Sequence, residues 1–170
     1  MQTSLALKTV DRLPFTDLLT QVLDYENEEF TERLKDKLSL TDVDARVLFT
    51  DMKKFLFMCG TRHGIWSPTA QIDAAWHEFI LYTKDYAAFC DKMFGRFLHH
   101  VPRSYFGGGT KGRTWATRNV AEGMFGCLSK NWDIPDSMRP QANGMALAHA
   151  EAADTGPCDS CGCASSCLGD

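Results

Sequence analysis

TDVDARVLFTDMKKFLFMCG, residues 41–60, repeats its apolar residues at steps of three and four. Val43, Val47, Leu48, Met52, Phe55, Leu56 and Cys59 thereby fall on one face of a 3.6-residue helix. Thr41 stands where an N-cap belongs, and Asp42 and Asp44 put negative charge at the positive end of the helix dipole. Gly60 is read as the stop. The same periodicity continues on both sides. One helix opens at Pro14 and carries Phe15, Leu18, Leu19, Val22 and Leu23, and Glu28 to Leu38 forms a short second one. Ser67-Pro68 has the form of an N-cap followed by proline at the first helical position, ahead of Ile72, Ala75, Trp76, Phe79 and Ile80. Asp85 is read as the cap of a further helix that runs past Leu98 and ends before Pro102, and a last one covers Thr114 to Leu128. No Asn-Gly or Asp-Gly turn separates alternating apolar runs, so the expected class is all-α.

The 170 residues suffice for one sizeable core. The expected organisation is a single compact helical domain of five to six helices over residues 1–140. An Ala-, Gly- and Asp-rich tether follows over 141–157, then a flexible Cys-rich tail over 158–170. A net charge of -4, with Lys111-Gly112-Arg113 and Arg118 as the densest basic stretch, argues against a nucleic-acid partner. Met1 to Pro14 lacks the basic and apolar regions of a signal peptide, and no later run is long enough for a membrane span. The expectation is therefore a soluble, cytoplasmic protein without membrane association, a protein partner being open.

Two stretches carry the chemistry: Ile72-Asp73-Ala74-Ala75-Trp76-His77-Glu78-Phe79-Ile80 and Phe97-Leu98-His99-His100-Val101-Pro102. They set three of five histidines among apolar residues, and a buried imidazole has to be hydrogen-bonded, ion-paired or metal-bound. Asp73 and His77 are four apart, so their side chains meet on one helical face. If the two helices form a hairpin turning near Lys84-Asp85, the helical rise separates His77 from His99 by ~10 Å along the axis, too far for one ion at ~2.1 Å. Asp73 and His99 come within ~4–5 Å on the same ruler. A polar network of His77, Asp73 and His99 is then the easier construction, and a metal site needs a splayed hairpin or a His100 that lies beyond the helix end and folds back. Glu78 points about 100° away from His77. A His-Glu-x-x-His zinc helix and a Gly-x-Ser-x-Gly nucleophile elbow are both absent. Gly107-Gly108-Gly109 follows no strand and reads as a linker or mobile cover, not a phosphate cradle.

Cys59, Cys90 and Cys127 sit in helical apolar stretches and read as small hydrophobes. Cys158, Cys161, Cys163 and Cys167 place four thiols in ten residues, with Ser160, Gly162 and Ser166 keeping the loop bendable. Four soft ligands suit a zinc or Cu(I) ion, and a tail of free or bridged thiols is the alternative. His149 is a further candidate ligand in the tether.

The residues Ile72-Asp73-x-x-Trp76-His77-x-Phe79-Ile80, Tyr86-x-x-Phe89-Cys90 and Phe97-x-His99-His100-x-Pro102 resemble the bacterial members of the glycine-rich domain-containing protein-like family. The resemblance spans Leu38 to Trp132 and implies a helical domain with a cysteine-bearing C-terminal extension. Plant proteins with a similar domain carry it beside glycine-rich segments and are associated with development and stress responses, and no biochemical activity comes with it. A long glycine-rich segment is absent from this chain.

Three readings follow. The first is a metal-binding or interaction module, with Asp73, His77, His99 and His100 around a transition metal such as zinc and the four tail thiols as a separate site. The second is a metal-dependent or acid–base enzyme whose pocket is lined by Trp76, Tyr82, Tyr105 and the histidines, with residues 107–109 as its cover. The third is a protein-interaction domain in which the Asp–His network is structural.

Overall fold

Proline has no N–H to leave unpaired at a helix start, and Pro14 opens α1 with its carbonyl accepting from the N–H groups of Asp17 and Leu18 at 3.0 Å. A computed structural model describes residues 14–101 and 110–138. Its order is α1 (Phe15–Leu23), α2 (Glu28–Leu38), α3 (Asp42–Thr61), α4 (Ala70–Leu81), α5 (Thr83–Phe94) and α6 (Thr110–Phe125), followed by short 3-10 turns at Lys130–Trp132 and Asp136–Met138. The chain is all-helical, with no strand among the described residues. No helix among them is long and apolar enough to cross a membrane. Tyr105, Gly107 to Gly109, His149, the tether and the thiols of Cys158, Cys161, Cys163 and Cys167 lie outside the described residues.

α3 is the central post, packed by α1, α2 and α4. Phe55, Leu56, Phe57 and Met58 are fully buried in succession, so this helix is enclosed on every side in its second half. Val43, expected on the buried face, is 71% exposed at the first turn. An aromatic cluster fills the space between α2, α3 and α4, with Phe30 lying 4.8 Å from Phe79 and 5.0 Å from Phe49. Each such ring contributes about 1.5–3 kcal/mol through burial. Lys53 is also enclosed. Its ammonium donates to the carbonyls of Leu23 and Tyr25, which closes the C-terminus of α1, and burial holds it down to about 8 against the pull of Glu26 and Asp24.

Capping follows the sequence in part. Thr41 Oγ1 accepts from the N–H of Asp44 at 3.1 Å, and Asn27 Oδ1 accepts from that of Phe30 at 2.9 Å. Several boundaries depart from expectation, among them those of α6, which covers Thr110–Phe125 where Thr114 to Leu128 is expected. Gly60 does not stop α3. The helix runs to Thr61, and a Cβ at Gly60 would stand 2.3 Å from a Phe94 ring carbon, so glycine is there for the close approach of α5. Thr69, not Ser67, caps α4, because the Ser67 N–H donates to Thr117 and its hydroxyl accepts from Thr114, both on α6. Asp85 does not cap α5, which begins at Thr83 and ends at Phe94 with Gly95 in the left-handed region at φ 64°.

Ser39 ends α2 in that same region, at φ 52°. An L-residue there is strained by about 1–2 kcal/mol, part of which glycine's larger unfolded-state entropy cancels. Ser39→Gly is expected to raise the unfolding free energy by about 0.5–1 kcal/mol in urea titrations. A loss of stability would show that the Ser39 side chain contributes more than its strain.

Candidate metal centre

α4 is started by Thr69, whose hydroxyl accepts from the N–H of Ile72 at 3.4 Å and donates to the carbonyl of Asn131 at 2.6 Å. That anchor fixes the helix on which Asp73 and His77 stand one turn apart, with His77 Nδ1 at 3.7 Å from Asp73 Oδ2. The carboxylate and imidazole meet on one face, as their spacing predicts.

The third member arrives from beyond α5. Gly95 turns the chain back across α4. Along residues 97–101 exposure alternates, so that Leu98 and His100 face inward while Phe97, His99 and Val101 face out. The buried Tyr86 hydroxyl donates to the Leu98 carbonyl at 2.5 Å and accepts from Trp76 Nε1 at 2.9 Å. Burial pushes that hydroxyl far above its ordinary range, so it stays protonated and keeps donating. Arg96 Nη2 pins the same segment to the Cys59 carbonyl at 2.9 Å. His100 then lies against Trp76, ring centroids 4.4 Å apart, with its Nε2 at 3.0 Å from Asp73 Oδ1.

Asp73, His77 and His100 can thus offer one carboxylate oxygen and two ring nitrogens, all within 4.8 Å of one another. The two imidazoles stand 4.2 Å apart between centroids. Ligand atoms around a tetrahedral zinc at ~2.1 Å lie ~3.4 Å from each other, so the arrangement is close to a binding geometry. The centre is at the surface and not in the dry core that the apolar neighbours suggest: the side chains of His77, Asp73 and His100 are 56%, 22% and 17% exposed. The structure does not bring His99 to the group. Its ring is exposed and packs on Phe97, centroids 4.9 Å apart. Glu78 points elsewhere, as expected, and pairs with Arg33 at 3.0 Å.

A cavity of about 310 Å³ adjoins the trio, with Asp73 and His100 in its wall together with Trp66, Trp76, Arg96 and Arg113. Tyr82, expected to line a pocket, instead packs on Phe30, centroids 5.6 Å apart. The thiols near this region are poor nucleophiles, since burial pushes Cys59 up to about 12 and also raises Cys90. Two wall residues escaped the sequence reading. Arg96 carries no local signal, since the carbonyls it holds, those of Cys59 and Gly60, belong to α3. Trp66 carries none: its Nε1–H is buried without an acceptor among the described residues, a state that costs about 1–3 kcal/mol.

The Tyr86 relay is testable. Tyr86→Phe leaves the Trp76 N–H and the Leu98 carbonyl unpartnered, and is expected to lower stability by about 1–3 kcal/mol and broaden the imidazole resonances of His100 in NMR spectra. Unchanged His100 resonances would mean that this bond does not set the position of His100.

Residues 17–120, more than half of the chain, match the family model described as UCP032817-like. No curated protein and no solved structure matches it. The glycine-rich domain-containing family, which the residues around Asp73, His77 and His100 resemble, is not the family found: the match over those very residues is to a different one.

Proposed function

The chain belongs to the UCP032817-like family, and from that premise we propose that its helical domain is a metal-binding module in which Asp73, His77 and His100 hold one divalent transition metal, zinc first. The observation that carries the reading is the double use of one carboxylate. Oδ1 of Asp73 faces His100 at 3.0 Å while Oδ2 faces His77 at 3.7 Å. A purely structural network is complete with His100 alone, and the second distance is too long for a hydrogen bond. An ion accounts for two imidazoles converging on one acid at the surface, where entry is open. Two imidazoles and a carboxylate suit zinc and other first-row divalent ions, and three protein ligands leave coordination positions open for water or a ligand.

The test uses full-length protein in which the tail thiols of Cys158, Cys161, Cys163 and Cys167 are replaced by serine, so that only this centre can take up metal. Elemental analysis after purification without added metal, followed by Co²⁺ titration of the stripped protein, is expected to give about one equivalent with the visible bands of nitrogen and oxygen ligation. Less than about a tenth of an equivalent in both measurements removes the proposal and leaves the Asp–His contacts as structural.

A further inference from the structure

Asp73 and His100 belong both to the ligand trio and to the wall of the adjoining cavity, whereas His77 is not part of that wall. An ion held by three protein ligands keeps a coordination position open, and Asp73 and His100 set that ion beside the cavity. Among the described residues, the charged side chains of the wall apart from Asp73 are Arg96 and Arg113. Once Asp73 is bound to a dication its negative charge is offset and the Arg96 guanidinium stays in the wall, so the potential in this half-open cavity favours an anion. The rest of the lining is largely apolar, with Ile65, Trp66, Pro68, Phe97 and Leu98.

Two donors give that potential a direction. The Arg96 guanidinium is held at the wall through Nη2, on the carbonyls of Cys59 at 2.9 Å and Gly60 at 3.4 Å, which leaves the other edge of the fork for an acceptor. Trp66, whose indole N–H is a buried donor without a partner among the described residues, belongs to the same wall. A volume of about 310 Å³ is at the small end of ligand sites, below what a nucleotide fills. A bare inorganic anion would leave the apolar walls uncovered.

We propose that the cavity binds a small organic carboxylate with an apolar body. One carboxylate oxygen completes the coordination of the metal, the other faces Arg96 and the Trp66 N–H, and the body lies along Phe97 and Ile65. The assignment rests on the metal reading above.

The experiment uses the full-length, tail-serine protein loaded with one equivalent of Co²⁺. Benzoate and hexanoate are titrated against the cobalt bands and tryptophan fluorescence, with benzamide as the neutral match of benzoate and with inorganic phosphate. Saturable changes in both signals are expected with the carboxylates, with binding at least about tenfold tighter than that of benzamide or phosphate. Arg96→Gln, titrated with cobalt held at saturation because Arg96 also pins the segment that carries His100, should weaken benzoate by about tenfold. Where that variant lowers the unfolding temperature, Trp66→Phe serves instead, keeping a ring while removing the donor, and should weaken benzoate severalfold. Cobalt that binds but does not respond to either carboxylate overturns the inference and leaves the metal reading standing. So does equal binding of benzamide or phosphate, or benzoate binding untouched by both substitutions. Failure of cobalt to bind overturns both.

Discussion

Asp51→Ala is expected to remove about 3–5 kcal/mol of unfolding free energy, a large share of the 5–15 kcal/mol typical of a domain. Asp51 is 2% exposed on α3, and its carboxylate collects three donors from the turn after α6: Ser129 Oγ at 2.5 Å, Asn131 Nδ2 at 2.9 Å and Trp132 Nε1 at 2.9 Å. Two of those donor residues, Asn131 and Trp132, are buried, so truncating the acceptor strands their polar groups where water does not replace it. Trp132 is held only 1% exposed, and releasing it also gives up a large burial term. Asp51→Asn keeps the size but turns an N–H toward a donor, and should lose roughly half as much. Chemical denaturation followed by tryptophan fluorescence measures both. A loss under about 1 kcal/mol for the alanine variant would mean that the turn re-forms its bonds elsewhere.

The effect does not stop at stability. Asn131, held by Asp51, presents its carbonyl to the Thr69 hydroxyl, and Thr69 caps the helix carrying Asp73 and His77. A buried acid on α3 thus sets the start of α4 through the C-terminal turn. Loosening it should weaken metal uptake at a centre with which Asp51 shares no direct bond.

Asp51 shows where sequence reasoning ends. In Thr50-Asp51-Met52-Lys53-Lys54 it looks like one more charge on a helix, and so does Lys53. Both are buried because partners come from 28 to 81 residues away, and nothing local announces that. The bounds of α2 were legible without its cap, Asn27, being read, and the start of α3 was legible where apolar periodicity and the cap Thr41 agree. Boundaries went wrong where a residue with a local signature was used for a distant contact: Gly60 for Phe94, and Ser67 for Thr114 and Thr117. The Asp73–His77 pair followed from spacing alone. The choice between His99 and His100 did not, because it depends on where α5 ends. A helix continued past Leu98 puts His99 near Asp73, but Gly95 stops it, and in the extended segment that follows inward positions come every second residue. Leu98, held inward by its own burial and by Tyr86, makes His100 the inward histidine.

That parity argument makes the second large expectation, a contrast between neighbours. His100→Ala in the tail-serine protein is expected to weaken Co²⁺ and Zn²⁺ binding by at least about a hundredfold, about 2.8 kcal/mol, since even residues one step removed from a metal change affinity by 10–100-fold. His99→Ala, one position away and exposed on Phe97, should change it by less than about twofold. Competition titrations against a chelating dye give both constants, and unfolding curves of the metal-free variants show whether either change is global. His100→Ala removes a half-buried ring packed at a tilt against Trp76, so a stability loss of about 1 kcal/mol is expected beside the loss of metal, whereas His99→Ala should be close to neutral. Equal loss of affinity in the two variants would mean that the segment bends so that both rings reach the ion. Loss in His99→Ala alone would mean that the helical register, with its 1.5 Å rise, describes the bound state after all.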